Sequence, residues 1–109
     1  MAYDENLAAR VRRALGRRKG LSEKAMFGGL AFLLNGNMCC GVLKGELVVR
    51  VARDDTDDVL AEPHTRILDF TGRPMRGWVV VGPAGCHDDG DLACWVGKAV
   101  EFASSLPAK

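Results

Sequence analysis

Six residues hold most of the reactive side-chain chemistry in this sequence: Cys39, Cys40, Cys86, Cys94, His64 and His87. Thiolates and imidazoles are the usual zinc ligands, and also the nucleophiles and bases of covalent catalysis. Spacing narrows these options. Structural zinc sites commonly use C-x-x-C pairs, and none occurs here. Cys39 and Cys40 are adjacent, inside the apolar run MFGGLAFLLNGNMCCGVL. Neighbouring side chains of a regular strand point to opposite faces. One of the two cysteines is therefore expected to face the helices and the other the open side of the sheet. Cys86-His87 is a second adjacent pair, in a loop before the last helix, and Cys94 lies on that helix. A metal- or thiol-dependent centre of Cys86, His87 and Cys94 is the alternative reading. Apolar filling is the preferred reading for Cys39, Cys40 and Cys94, because free cysteine is among the most buried residue types. His64 and His87 fall in predicted loops, and no partner stands at a spacing that implies a triad. No catalytic residue is assigned, and neither a metal nor another cofactor is expected.

Other stretches suggest binding chemistry. Asp54, Asp55, Asp57 and Asp58 resemble a calcium loop only in charge, since the glycine and terminal glutamate of that pattern are missing. They suit the start of a helix better. Gly28-Gly29 precedes a strand, whereas a phosphate-binding loop needs amides at a helix N-terminus. A bend or bulge is expected there. In FTGRPMRGW, residues 70 to 78, Arg73 and Arg76 flank Pro74 and Met75 beside Trp78. Paired guanidinium groups next to an apolar anchor can grip an anion or an acidic protein surface, so Arg73, Arg76 and Trp78 are the candidate binding residues. The competing expectation is that Phe70, Met75 and Trp78 close one end of the core while both arginines stay solvated. Arg10, Arg13 and Arg17 form a basic stripe without aromatic neighbours for base stacking. A weak nucleic-acid interface there is a further alternative.

The elements that must position these residues follow from patterning. Asp4 reads as an N-cap, Leu7, Ala8, Val11, Ala14 and Leu15 follow at helical spacing, and Gly16 sits just past the end. Asn35-Gly36 between apolar runs predicts a type I′ hairpin joining strands 30–34 and 37–43. Lys44-Gly45 predicts a second tight turn into a strand over 46–51. Asp54 or Asp55 is expected to cap a short acidic helix using Val59, Leu60 and Ala61, stopped by Pro63. Short strands are expected over 67–70 and 78–81, with Thr71 to Pro74 as a loop between them. Asp88 or Asp89 caps a last helix carrying Leu92, Trp95, Val96, Ala99, Phe102, Ala103 and Leu106, closed by Pro107. The order is α-β-β-β-α-β-β-α, an α+β class. About five antiparallel strands form two layers with helices packed on one face.

Composition sets the frame. The 109 residues suit one domain, 1–109. Hydrophobic residues are 48% and the net charge is +1, so no global field recruits nucleic acid. No apolar run approaches the roughly 18 residues of a membrane span. The start, MAYDENLAARVRR, lacks an apolar export segment. A cytoplasmic location with free thiols is expected. Charge is uneven: residues 1 to 24 hold seven Lys/Arg against three Asp/Glu, while 54 to 62 hold four Asp and one Glu with no base.

Taken together, KAMFGGLAFLLNGNMCCGV, DFTGRPMRGWVVVGP and DLACWVGKAVEFASSLP resemble the TfoX N-terminal domain family across nearly the whole chain. The most specific pieces are Met26-Phe27-Gly28-Gly29, Asn35-Gly36, Gly72-Arg73-Pro74-Met75 and Gly77-Trp78. The resemblance implies a two-layer, secretion-chaperone-like α+β fold. It also implies a bacterial, regulatory role like that of the N-terminal domain of a competence or transcription coactivator, here as a stand-alone domain. It carries over no catalytic residue. The reading is a non-enzymatic interaction module. Leu30 to Leu34 are apolar at successive positions, so a two-layer arrangement leaves some of them on an open sheet face. A protein partner, or a second copy in a homodimer, is expected to cover that face. Neither a membrane nor direct nucleic-acid contact is expected.

Overall fold

The computed structural model describes residues 3–26, 28–70 and 72–108; the side chains of Met26 and Phe70 lie outside that description. Among the described residues the chain forms α1 (Glu5–Leu15), β1 (Leu21–Met26), β2 (Gly29–Leu34), β3 (Asn37–Leu43), β4 (Glu46–Arg50), α2 (Thr56–Leu60), β5 (Thr65–Phe70), β6 (Arg73–Val81) and α3 (Asp89–Ser104). The strands make one antiparallel sheet in the order β1-β2-β3-β4-β6-β5. This is the expected α+β architecture with one more strand than expected.

The extra strand is β1. Its sequence, LSEKAM, has no apolar alternation, and Ser22 to Ala25 are exposed. It is an edge strand, held by backbone pairing to β2, and charged side chains on an edge discourage pairing with other chains. Gly29 begins β2 so close to β3 that a Cβ there would lie 2.4 Å from the Val42 carbonyl oxygen. Phe27, part of the quoted Met-Phe-Gly-Gly motif, and Thr71 lie outside the described residues.

Local signals set the helix ends. The Asp4 carboxylate accepts from the Asn6 and Leu7 amides, and Asp88 accepts from those of Gly90 and Asp91, each satisfying two otherwise unpaired donors. Gly16 ends α1 at φ 65. At α2 the expected acidic cap fails: neither Asp54 nor Asp55 makes a capping bond. A 3-10 turn at Arg53–Asp55 leads into α2, and Thr56 supplies the polar contacts. Its buried Oγ1 donates to the Ala52 carbonyl at 3.3 Å and accepts from the Gly77 amide at 2.9 Å.

The core lies between the sheet and the helices. Leu7, Val11 and Leu15 of α1 and Leu92, Val96 and Ala99 of α3 meet Phe32, Val42, Leu47, Val49 and Val79 of the sheet. Burying Phe32 alone stabilises the fold by roughly 2–3 kcal/mol. The polar side chain of Asn37 is also buried here, and its Nδ2 donates to the Pro107 carbonyl at 2.8 Å, tying the chain after α3 to β3.

Two irregularities change which residues face where. In β3 the pairs run Phe32 with Cys40 and Leu33 with Met38, so Cys39 is an inserted, bulged residue. Cys39 and Cys40 therefore both lie in the helix-side core, and the expectation of opposite faces is corrected. The physical reason lies two residues on. Regular pairing from the Asn35-Gly36 turn would place Gly41 inward opposite Leu30 and leave Val42 outside. The bulge turns Val42 into the core, worth roughly 1.5–3 kcal/mol, and puts Gly41 on the open face. In β6 the pairing steps from Ile67–Val79 to Leu68–Met75. Arg76, Gly77 and Trp78 form this irregular stretch, with the Gly77 carbonyl accepting from the Val51 amide at 2.8 Å. Arg73 and Pro74, expected in a loop, are strand residues. Pro74 is tolerated because β4 pairs only with residues 78–81 of β6.

Candidate functional site

The side of the sheet away from the helices carries the candidate site. Register places Lys24, Ala31, Gly41, Val48, Val80 and Arg66 directly opposite one another, strand by strand, in one row across all six strands. A cation stands at each edge, with small or aliphatic residues between. Val48, Leu68 and Val80 form a second apolar cluster on this face, joined by Leu43, Met75 and Trp78. The expectation that Met75 and Trp78 close an end of the main core is therefore corrected; they belong to this separate cluster.

Ala31 and Gly41 contribute almost no side chain to the row, so the face is depressed there. A cavity of about 100 Å³ results, floored by these two and walled by Met38, Leu43, Met75 and Trp78. Its walls are apolar. Small-molecule sites usually enclose about 300–1,000 Å³. A dry cavity of about 150 Å³ accommodates benzene, so this one has room for about four carbon atoms, an aliphatic side chain.

Charged groups rim the face. The Arg50 guanidinium lies 5.1 Å from the Trp78 ring centroid and 5.4 Å from that of Phe102, a cation held between two aromatic faces. Arg66 pairs with Glu46, one contact being 2.6 Å, and holds that carboxyl below its ordinary 4.5 by hydrogen bonding. The three sequence-predicted binding residues are separated. Arg73 and Trp78 point to the open face, in register with Phe70 and Arg50. Arg76 turns toward α2, where it pairs with Asp57 at 3.1 Å and donates to the Arg53 carbonyl. The chain signal for the site was the run Leu30 to Leu34. The cavity floor was not visible in it, because it depends on the β3 bulge.

The sulfur and imidazole groups are dispersed. Cys40 is buried; its hydrogen bond with Cys39, and then burial, hold its thiol well above the ordinary 9.0. Cys86 is buried at the edge of the main core, its Sγ 3.6 Å from the Gly82 carbonyl oxygen, and burial raises its thiol too. Cys94 is exposed, so the filler role expected for it is corrected. His87 and His64 are exposed. Among the described residues no group of three or more His, Cys, Asp or Glu is placed to hold a metal ion. On α1, Arg10 is committed to Asp89 and to the Cys86 and His87 carbonyls, and Arg12 to Glu23 at 2.8 Å. Arg13 and Arg17 remain exposed. A wider cleft of about 430 Å³ between α2 and α3 is rimmed by Asp55, Asp58, Glu62 and Glu101 with Lys98. Among the described residues no helix is long and apolar enough to cross a membrane.

No curated protein and no solved structure matches this chain. A family model does: that of the TfoX N-terminal domain matches residues 13–103, from the second half of α1 almost to the end of α3. These residues include all six strands, the bulge and the apolar open face, and the chain belongs to the TfoX N-terminal domain family.

Proposed function

We propose that this protein is a non-enzymatic, regulatory protein-interaction module of the bacterial cytoplasm, acting through the open face of its sheet. One observation supports this most: an apolar cavity sits in the middle of a sheet face on which, among the described residues, no helix packs. Five inter-strand spacings of about 4.8 Å and strands of about 20 Å give this face a projected area near 500 Å². That is below the roughly 800 Å² that each partner contributes to a standard interface, and it matches the smaller contacts of transient complexes. Trp78 and Arg73 are its specificity residues, since aromatic and arginine side chains dominate interface energetics. A second protein or a second copy of this chain satisfies the area argument equally.

A photo-crosslinking amino acid tests the reading. Placed at Leu43, on the open face, it should trap a discrete partner in the bacterial cytoplasm. Placed at Gly97, on the exposed side of α3, it should not. Partner trapping at position 97 alone would overturn the assignment.

A further inference from the structure

The open face is not electrically neutral, and its charge selects among occupants. Among the described residues, register assigns it three cations, Lys24, Arg66 and Arg73, against one carboxylate, Glu46, while the Arg50 guanidinium reaches round the end of the sheet to Phe102 of α3. Glu46 is committed to Arg66. Two copies meeting through this face would bring like charges together around an apolar centre, which disfavours a homodimer. The same charges favour a partner rich in carboxylates. The cavity is too small for a typical ligand and suits one aliphatic side chain.

Resting on the reading of this face as the interaction surface, we propose that its occupant is an acidic segment of another protein, with one aliphatic side chain seated over Ala31 and Gly41 and carboxylates meeting Lys24 and Arg66. The row between those two cations spans about 24 Å. That is about seven extended residues, or about sixteen in a helix. The Glu46–Arg66 pair is no obstacle. The Arg66 side chain is 59% exposed, which leaves guanidinium N–H groups for a second carboxylate.

The test uses the full 109-residue chain, labelled with nitrogen-15, and three synthetic sixteen-residue peptides. The first is acidic with a central leucine, the second has serine in its place, and the third has lysine at every acidic position. The acidic leucine peptide should shift the Ala31, Gly41 and Val48 amides saturably, and added salt should weaken it. Serine should weaken binding about tenfold, the loss of one seated aliphatic side chain. The lysine peptide should bind at least tenfold more weakly than the acidic one. Lys24→Glu, at an exposed edge position, should weaken the acidic peptide about threefold with no change in melting temperature. Equal binding of the acidic and lysine peptides would overturn the charge argument and leave the face itself as the binding surface. So would a sixteen-nucleotide single strand that binds more tightly than the acidic peptide at the same amides. A concentration-dependent dimer that protects those amides would replace the acidic partner with a second copy. No shift at these amides with any probe at millimolar concentration would overturn the proposal, and trapping at position 43 then decides separately whether the face binds at all.

Discussion

Thr56 offers the sharpest test of how this fold is held together. It is fully buried, and its hydroxyl joins the start of α2 to the irregular stretch of β6. Thr56→Val keeps the shape and removes the hydroxyl. The Gly77 amide then has no partner in a buried setting, which costs about 1–3 kcal/mol. Loss of the donor to the Ala52 carbonyl adds to this, though that bond is long at 3.3 Å. Thr56→Ser keeps the hydroxyl and loses one buried methyl, about 1 kcal/mol. The valine variant should therefore be the less stable of the two, by about 1 kcal/mol or more. Its loss of about 2–3 kcal/mol corresponds to about 10–20 °C in Tm for a chain of this size. Urea titration of both variants, followed by tryptophan fluorescence, measures the difference. Hydrogen exchange at the Gly77 amide should accelerate in the valine variant alone. A valine variant as stable as the serine one would refute the claim that this hydroxyl carries the junction.

Other expectations are checked more briefly. With a thiol-specific chromogenic disulfide, Cys94 should react rapidly in the native protein, while Cys39, Cys40 and Cys86 wait for unfolding; Cys94→Ser should remove the fast phase. The Glu23 and Glu46 carboxyls are held below 4.5 by hydrogen bonds from Arg12 and Arg66. Their stabilisation is therefore present above pH 4.5 and is lost as pH falls through the folded values, about 0.5 kcal/mol per exposed pair. Denaturation midpoints of Arg12→Met and Arg66→Met should converge on wild type in acid. Gly16→Ala should cost about 1–3 kcal/mol from the backbone alone, since φ 65 with ψ −157 is a region essentially only glycine adopts and open space surrounds that position. Gly29→Ala should cost more, because its Cβ collides with the backbone of β3, and chemical denaturation compares the two directly.

How far these features were legible beforehand depends on whether their causes are local. Asp4, Gly16 and Asp88 work within one turn of a helix, so they can be read where they stand. Asn35 and Gly36 adopt φ 53 and 82, the positive values that a type I′ turn demands. β1 escaped notice because its residues carry no period-two pattern. An edge strand is held by backbone groups of its neighbour, and side-chain sequence does not record that bond. Arg73, Arg76 and Trp78 sit within six residues of one another, yet the broken register of β6 sends Arg76 to α2 and the other two to the open face.

The chain alone determined the class of fold, the capped helices, the hairpin and an apolar sheet with an uncovered side, because propensity, capping and turn chemistry act over a few residues. Tertiary structure decided the facing of Cys39 and Cys40, the partner of Thr56 and the cavity over Gly41. Each of these depends on strand register. Register is set by which alignment buries Val42 and Phe32 against the helices, and that is a competition among distant residues.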